Sequence, residues 1–262
     1  DDTGNLNEGT LSDFRAEWVN TFEKKTNETN PDRSDLDAVV AALGAPDATV
    51  LDALGPVVDV EQFLTYWATE VLISHCDGYA NNTNNFFVYR DPTSGRFQFL
   101  PWGTDGIMQT DQLTSAMRPL SVFAVGALAR RLYLLPATQQ RYLDRLQTLL
   151  DTVWDEAALL AEIDRMEALI TPVGDPGRTG RLAVAIEGVR TFVRTHRADL
   201  LNELAAGPPA WTEALRDPPC LTVVGDLQAT FATTFGTVGA MNPFATDIGT
   251  VVATINMVPV AV

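Results

Sequence analysis

Within Leu11–Lys25, Phe14, Trp18 and Phe22 recur at i, i+4 and i+8, which predicts an amphipathic helix with three aromatic rings on one face and Thr10 or Ser12 as its cap. Asn30-Pro31-Asp32 signals a turn, and a short helix is expected over Asp37–Leu43 before Gly44, Pro46 and Gly55-Pro56 interrupt the chain. Val60–His75 reads as a long helix whose apolar stripe is Phe63, Trp67, Val71 and Leu72. From Asp77 to Asn85 the pattern collapses into Gly and Asn, which means a loop. Phe86–Tyr89 and Phe97–Leu100 are strand-like aromatic runs, and Arg90–Arg96 between them carries Pro and Gly placed for a hairpin turn. Another loop, Pro101–Gly106, follows. Further helices are expected over Val122–Leu132, Ala137–Val153, Glu156–Ile170 and Leu182–Leu204.

Gly207-Pro208-Pro209 and Asp217-Pro218-Pro219 mark residues 207–219 as a Pro-rich linker. Beyond it, residues 220–262 turn to Thr, Val, Ala and Gly and read as a few short strands, a β-type segment or the start of an appended domain. The expected class is α+β: a mostly helical body, residues 1–206, with one β-hairpin and a short β-rich tail. The opening Asp1-Asp2-Thr3-Gly4-Asn5 is polar and turn-like, an unusual way for a domain to begin, so the chain is expected to continue upstream.

With 262 residues, 46% of them hydrophobic, the chain can bury a core. Its formal net charge of −16 repels nucleic acid and anionic membranes and argues against both as partners. A nucleotide stays admissible, because a metal ion can bridge its phosphates to carboxylates. No apolar run reaches the ~18 residues of a membrane span. Lys24 and Lys25 are the only lysines and read as a solvated helix end. Cys76 and Cys220 would pair only in an oxidising compartment; a buried thiol is the blander reading of Cys76.

The chemistry-bearing stretch is Asp77-Gly78-Tyr79-Ala80-Asn81-Asn82-Thr83-Asn84-Asn85, the hairpin, and then Pro101-Trp102-Gly103-Thr104-Asp105. A hairpin brings its two ends together, so Asn85 and Asp105 should be neighbours. Asp and Asn oxygens in a polar loop suit a hard cation such as Mg²⁺. Phosphoryl transfer needs this combination: one Asp orients the nucleophile, while an Asn and a second Asp hold the metal that neutralises phosphoryl charge. Asp77, then Asn82 or Asn85, then Asp105 follow that order. Asn-rich loops are also commonly plain turns.

Other candidates are weaker. His75 beside Cys76 is no nucleophilic pair, since adjacent residues at a helix end point apart. His196 reads as a surface residue, and two histidines with two distant cysteines make no zinc set. Trp67, Trp102 and Tyr79 read as core or loop anchors rather than a sugar platform, with Trp102 bracing the loop of Asp105. Arg90 on the hairpin reads as structural. Asn27-Glu28-Thr29 and Asn81-Asn82-Thr83 match glycosylation sequons, meaningful only in a secreted eukaryotic protein.

His75-Cys76-Asp77-Gly78-Tyr79, Asn84-Asn85-Phe86-Phe87-Val88-Tyr89-Arg90-Asp91-Pro92 and Gly95-Arg96-Phe97-Gln98-Phe99-Leu100-Pro101-Trp102 together resemble the core signature of the spore-coat CotH kinase family. Gly4–Phe14 and Phe22–Asn27 are similar to its middle section, and the resemblance extends to about Leu204. It implies an atypical kinase-like C-lobe that uses ATP and Mg²⁺ (or Mn²⁺) to phosphorylate secreted or coat proteins on Ser, outside the cytoplasm or at the cell surface. Carried over, Asp77 is the catalytic carboxylate and touches metal. Asn82 and Asn85 face the cofactor, and Asn85 and Asp105 complete the metal set. Two departures stand out. Gly103 occupies the place of the first Asp of a Pro-Trp-Asp end, and the family's nucleotide lobe with its phosphate-contacting Lys is expected upstream. The alternative is a catalytically inactive surface or coat protein serving as a binding or assembly module. A carbohydrate-binding or adhesion role for the tail is a third reading.

Overall fold

A computed structural model describes residues 3–108, 118–173 and 179–216, together with the backbone of 252–255 and 258–261. Asn5–Gly9 forms strand β1 and Glu23–Lys24 the short β2; helices α1 (Ser34–Leu43), α2 (Val50–Leu54), α3 (Val60–Leu72) and α4 (Tyr79–Asn82) follow. Phe86–Arg90 and Phe97–Pro101 form β3 and β4, and α5 (Ala127–Tyr133), α6 (Pro136–Thr152), α7 (Glu156–Ile170) and α8 (Thr179–Ala205) complete the body. The class is α+β.

The expected hairpin forms, but as part of a four-stranded antiparallel sheet in the order β2-β1-β3-β4. Gly9 faces Phe86 across β1 and β3, and Phe86 faces Pro101 across β3 and β4. Alternation along β3 and β4 sends Phe86, Val88, Phe97 and Phe99 inward. They meet the apolar stripe of α3, with Phe63 and Phe99 at 4.7 Å between ring centroids. On the far side of α3, Trp67 stacks on Tyr142 of α6 at 3.8 Å, and its indole Nε1 donates to the Phe123 carbonyl at 2.6 Å. The core therefore runs from the sheet through α3 to α6.

The helix expected over Leu11–Lys25 is replaced by turns, a single 3₁₀ turn at Val19–Thr21, and β2. Phe14, Trp18 and Phe22 are all buried, so the spacing identified the core residues and misread their backbone. The reason is tertiary. Leu11 adopts φ 50°, Ser12 N–H donates to the Thr83 carbonyl at 2.8 Å, and Lys25 N–H donates to the Leu6 carbonyl at 2.8 Å. Backbone groups committed to distant partners cannot also close a helical ladder. The lysines are corrected with it. Lys24 is buried and its Nζ donates to the Asn30 and Asp32 carbonyls at 2.7 and 2.5 Å, while Lys25 pairs with Glu8 at 2.6 Å and Glu23 at 2.8 Å.

The segment expected to start a helix at Val122 is buried and without regular secondary structure up to Gly126, the N-cap of α5. Its backbone is used by others: Val125 N–H donates to the Ala80 carbonyl at 2.8 Å, and the Ser121 carbonyl accepts from Tyr142 Oη at 2.7 Å. His196, expected at the surface, is buried against Phe192 at 4.2 Å and Trp154 at 5.9 Å. Burial drives its pKa down to about 4.

Residues 222–262 are a second unit, of which the structure describes one antiparallel pair, β5 (Val252–Ile255) with β6 (Val258–Ala261). Cys220 and the remaining predicted strands of that tail lie outside the described residues. Cys76 is a buried free thiol.

Candidate functional site

Glu70 breaks the polarity rule of α3: it is a carboxylate on the buried stripe beside Trp67 and Val71. It is held there by donors. Oε1 accepts from Tyr66 Oη at 2.5 Å and Tyr79 N–H at 2.8 Å, and Oε2 accepts from Ala80 N–H at 2.8 Å. These two N–H groups open α4, so Glu70 satisfies the first turn after the Asp77 loop. The loop passes close above: a Cβ on Gly78 would lie 2.2 Å from Glu70 Oε1, which only glycine avoids. Asp13 plays the same part on the other side, accepting from Ala127 N–H at 3.0 Å, Tyr79 Oη at 3.1 Å and Phe14 N–H at 2.9 Å. Burial pushes its carboxyl above the usual range, against the lowering effect of those donors and of Arg15.

Between these anchors, Asp77 sits in a ring of carboxamides. Oδ1 accepts from Asn82 Nδ2 and from Asn84 Nδ2 at 3.2 Å; Oδ2 accepts from Asn84 Nδ2 at 3.1 Å and Asn85 Nδ2 at 2.8 Å. Of the four residues expected in the site, three are thus joined by hydrogen bonds. Asn84 joins them from the same asparagine run.

Asp105 arrives from the other end of the hairpin, exposed on a one-turn 3₁₀ segment, Thr104–Gly106. That turn is tied to the Asp77 loop: Cys76 N–H donates to the Gly106 carbonyl at 3.2 Å, and Cys76 Sγ donates to it at 3.1 Å. A Cβ on Gly106 would lie 3.7 Å from the Asp77 Cβ. Burial first, then the charges of Asp77 and Asp105, push the Cys76 thiol pKa up. Trp102 is half exposed and stacks edge-on against Phe87 at 5.2 Å, while its N–H donates to the Asn85 carbonyl at 3.1 Å.

His75 lies beneath, fully buried, with Nε2 3.3 Å from the Gly103 carbonyl and Nδ1 3.6 Å from Glu70 Oε1, an ion-pair separation rather than a hydrogen bond. Burial opposes its charging, but Glu70, the Gly103 carbonyl and Asp77 outweigh it and raise the imidazole pKa.

Residues 207–216 close the outer side. Trp211 is buried, and Tyr133 Oη donates to the Pro209 carbonyl at 2.6 Å. Arg118 grips Glu213 with Nε and Nη2 and reaches Asn81 Oδ1 with Nη1 at 2.5 Å. Arg216 donates to the Asn82 carbonyl at 2.9 Å and to Asn82 Oδ1.

The residue types are hard donors suited to a divalent cation, two carboxylates and several carboxamides, although Asn82, Asn84 and Asn85 here turn their NH₂ groups to Asp77 and Asn82 Oδ1 is held by Arg216. Among the described residues no three His, Cys, Asp or Glu side chains gather into a cation set, so two carboxylates would depend on amide and phosphate oxygens to complete it.

Sequence reasoning passed over Glu70, Asp13, Arg118 and Arg216. Glu70 left one signal, an acidic residue at helical spacing on an otherwise apolar face. The arginines left none.

Gly103 is no empty place for a carboxylate. It has φ 56°, and a Cβ there would lie 2.6 Å from Asn85 Cγ. Gly103→Ala is therefore expected to cost about 1–2 kcal/mol, the usual penalty for a left-handed L-residue, in urea unfolding. A change within about 0.3 kcal/mol would show that the turn relaxes freely.

A family model described as CotH kinase protein matches residues 5–198, more than half of the chain. No curated protein sequence matches it.

Proposed function

Because the chain belongs to the CotH kinase family, we propose that it is an ATP- and Mg²⁺-dependent protein kinase, with an atypical kinase-like C-lobe, that phosphorylates seryl hydroxyls of secreted or coat proteins outside the cytoplasm or at the cell surface. The observation that carries this reading is the carboxamide ring around Asp77, facing a second loop that bears Asp105.

Asp77 is the residue that receives the acceptor hydroxyl. Four carboxamide contacts occupy its lone pairs, and the two from Asn84 are shared and long. The Asn84 contact is the one an incoming hydroxyl replaces, leaving Asn82 and Asn85 to hold the carboxylate in place. Such positioning is the protein's main contribution to phosphoryl transfer, where little covalent work falls on side chains. When bound, Mg²⁺ neutralises charge on the phosphates, with Asp77, Asn85 and Asp105 as its protein oxygens and Asn82 and Asn85 facing the nucleotide. Glu70, Asp13 and Gly78 fix the loop geometry from below.

Calorimetric titration of Mn²⁺ in the presence of ATP tests this. Asp105→Ala is expected to weaken binding about tenfold or more, in keeping with the loss of a carboxylate near a metal. Folded wild-type protein that takes up no Mn²⁺ with ATP would overturn the kinase reading.

One observation favours a second reading, a catalytically inactive binding or assembly module: Gly103 has φ 56° and a Cβ there would lie 2.6 Å from Asn85 Cγ, so the turn that follows the hairpin offers Asp105 without a carboxylate at Gly103. In the absence of Mn²⁺–ATP binding, this module is the better account. Among the described residues, no helix is long and apolar enough to cross a membrane.

A further inference from the structure

Residues 207–216 lie beyond the stretch that the family model matches, yet they form the outer wall of the Asp77 loop. Their course is fixed at several points. Tyr133 holds the Pro209 carbonyl, Arg130 the Glu213 carbonyl, Arg118 the Glu213 carboxylate, and Arg15 the Arg216 carbonyl at 2.7 Å. At the end of this strap the Arg216 guanidinium meets two oxygens of one residue, the backbone carbonyl of Asn82 at 2.9 Å and its side-chain Oδ1. The amide nitrogen of the same side chain donates to Asp77 Oδ1.

We infer that Arg216 is a positioning residue that locks the Asn82 carboxamide against Asp77, so that a strap outside the kinase match completes the site. The inference rests on the role proposed above for Asp77.

The argument is one of donors and acceptors. A guanidinium has five N–H donors and no acceptor, so the atom of Asn82 that faces it must be oxygen. A carboxylate only accepts, so the atom that faces Asp77 must be the NH₂. Between a pure donor and a pure acceptor the carboxamide has one satisfactory orientation. The contact to the Asn82 backbone carbonyl keeps the guanidinium beside the side chain, and the carboxamide cannot swing out without giving up both its Oδ1 contact to Arg216 and its NH₂ contact to Asp77. Outer residues of this kind orient the groups that touch a ligand, and losing one typically costs about tenfold in metal affinity. Lysine is no substitute, since a point charge cannot reproduce a two-pronged grip.

The test uses the full chain, ¹⁵N-labelled, as wild type, Arg216→Ala and Arg216→Lys. Two quantities are read: the Asn82 side-chain NH₂ signals without metal, and Mn²⁺ affinity with ATP by calorimetry. Arg216→Ala is expected to shift the Asn82 signals toward those of a free carboxamide and to weaken Mn²⁺–ATP binding about tenfold. Arg216→Lys should recover part of each. Asn82 signals unmoved in Arg216→Ala would overturn the inference, as would full wild-type behaviour in Arg216→Lys. The lysine variant also carries the test if the alanine variant does not fold. If wild type binds no Mn²⁺ with ATP, the kinase reading falls alone, and the Asn82 signals still decide what Arg216 does.

Discussion

Glu70→Ala will lower the stability of the folded protein by about 3–5 kcal/mol, the cost of removing one partner from a buried charged network. Three donors lose their acceptor at once: Tyr66 Oη, Tyr79 N–H and Ala80 N–H. Each buried donor left unsatisfied costs about 1–3 kcal/mol, and water reaches few of them at a residue only 2% exposed. His75, whose pKa is raised in part by Glu70, also loses its neighbouring charge. For a domain of this size the loss corresponds to a fall in Tm of about 10 °C. Urea unfolding measures it as a shift in midpoint at constant slope. Glu61 on the same helix is the control: it is 57% exposed and pairs with Arg141 and Arg145 at the surface. Glu61→Ala should cost less than about 1 kcal/mol. Equal losses in the two variants would show that the buried network is not what holds the Asp77 loop. Amide exchange at Tyr79 and Ala80 should rise in Glu70→Ala well before global unfolding, because those are the bonds that open.

Acidification will remove about 3 kcal/mol of stability by pH 4 through His196 alone. Its pKa stands near 4 in the folded protein against an ordinary 6.5, with burial the main cause and the Val71 and Leu72 carbonyls and Asp199 only partly offsetting it. A depressed folded pKa means that the unfolded chain takes up the proton first. The contribution is therefore fully present above pH 6.5 and drains away as pH falls toward 4. His75 acts in the opposite sense: its raised pKa adds stability in acid that is lost as pH rises through the folded value. A variant comparison separates the two. His196→Phe keeps a ring between Phe192 and Trp154 and should hold its urea midpoint between pH 6.5 and 4 better than wild type does. Parallel pH profiles for the two proteins would show that His196 titrates normally.

Both predictions concern buried polar groups, and such groups mark the boundary of what local pattern reveals. The hairpin, α3 and α6 follow from period and turn chemistry, because each buries its own apolar face, while α7 forms where its pattern places it with none of its residues buried. The segment from Asp77 to Asn85 was legible for the same reason in reverse, as a polar break between two strongly patterned elements, although Tyr79–Asn82 within the expected loop closes the single helical turn α4 on the acceptors of Glu70. That Asp77, Asn82 and Asn85 lie close together follows from their sharing that loop.

Leu11–Lys25 shows where this stops. Its aromatic spacing correctly identifies what is buried, since hydrophobic burial depends on the residue type. It misidentifies the backbone, since the peptide groups of Leu11, Ser12 and Lys25 bond to Asn84, Thr83 and Leu6 instead of to one another. Lys24 reads as solvated by composition and is buried because two carbonyls from the Asn30–Asp32 turn reach it. Glu70 and Asp13 are ordinary acids in the sequence and become anchors only when α4 and α5 present their open N–H groups. Arg216 lies 134 residues from Asn82 and carries no local trace of that contact. The sequence by itself determined where the strongly patterned elements lie, the hairpin, α3 and α6, and which side chains are apolar enough to be buried, because those depend on a residue and its near neighbours. Only the tertiary structure decided which polar groups meet, because a buried donor or acceptor takes its role from whatever partner the rest of the fold brings within about 3 Å.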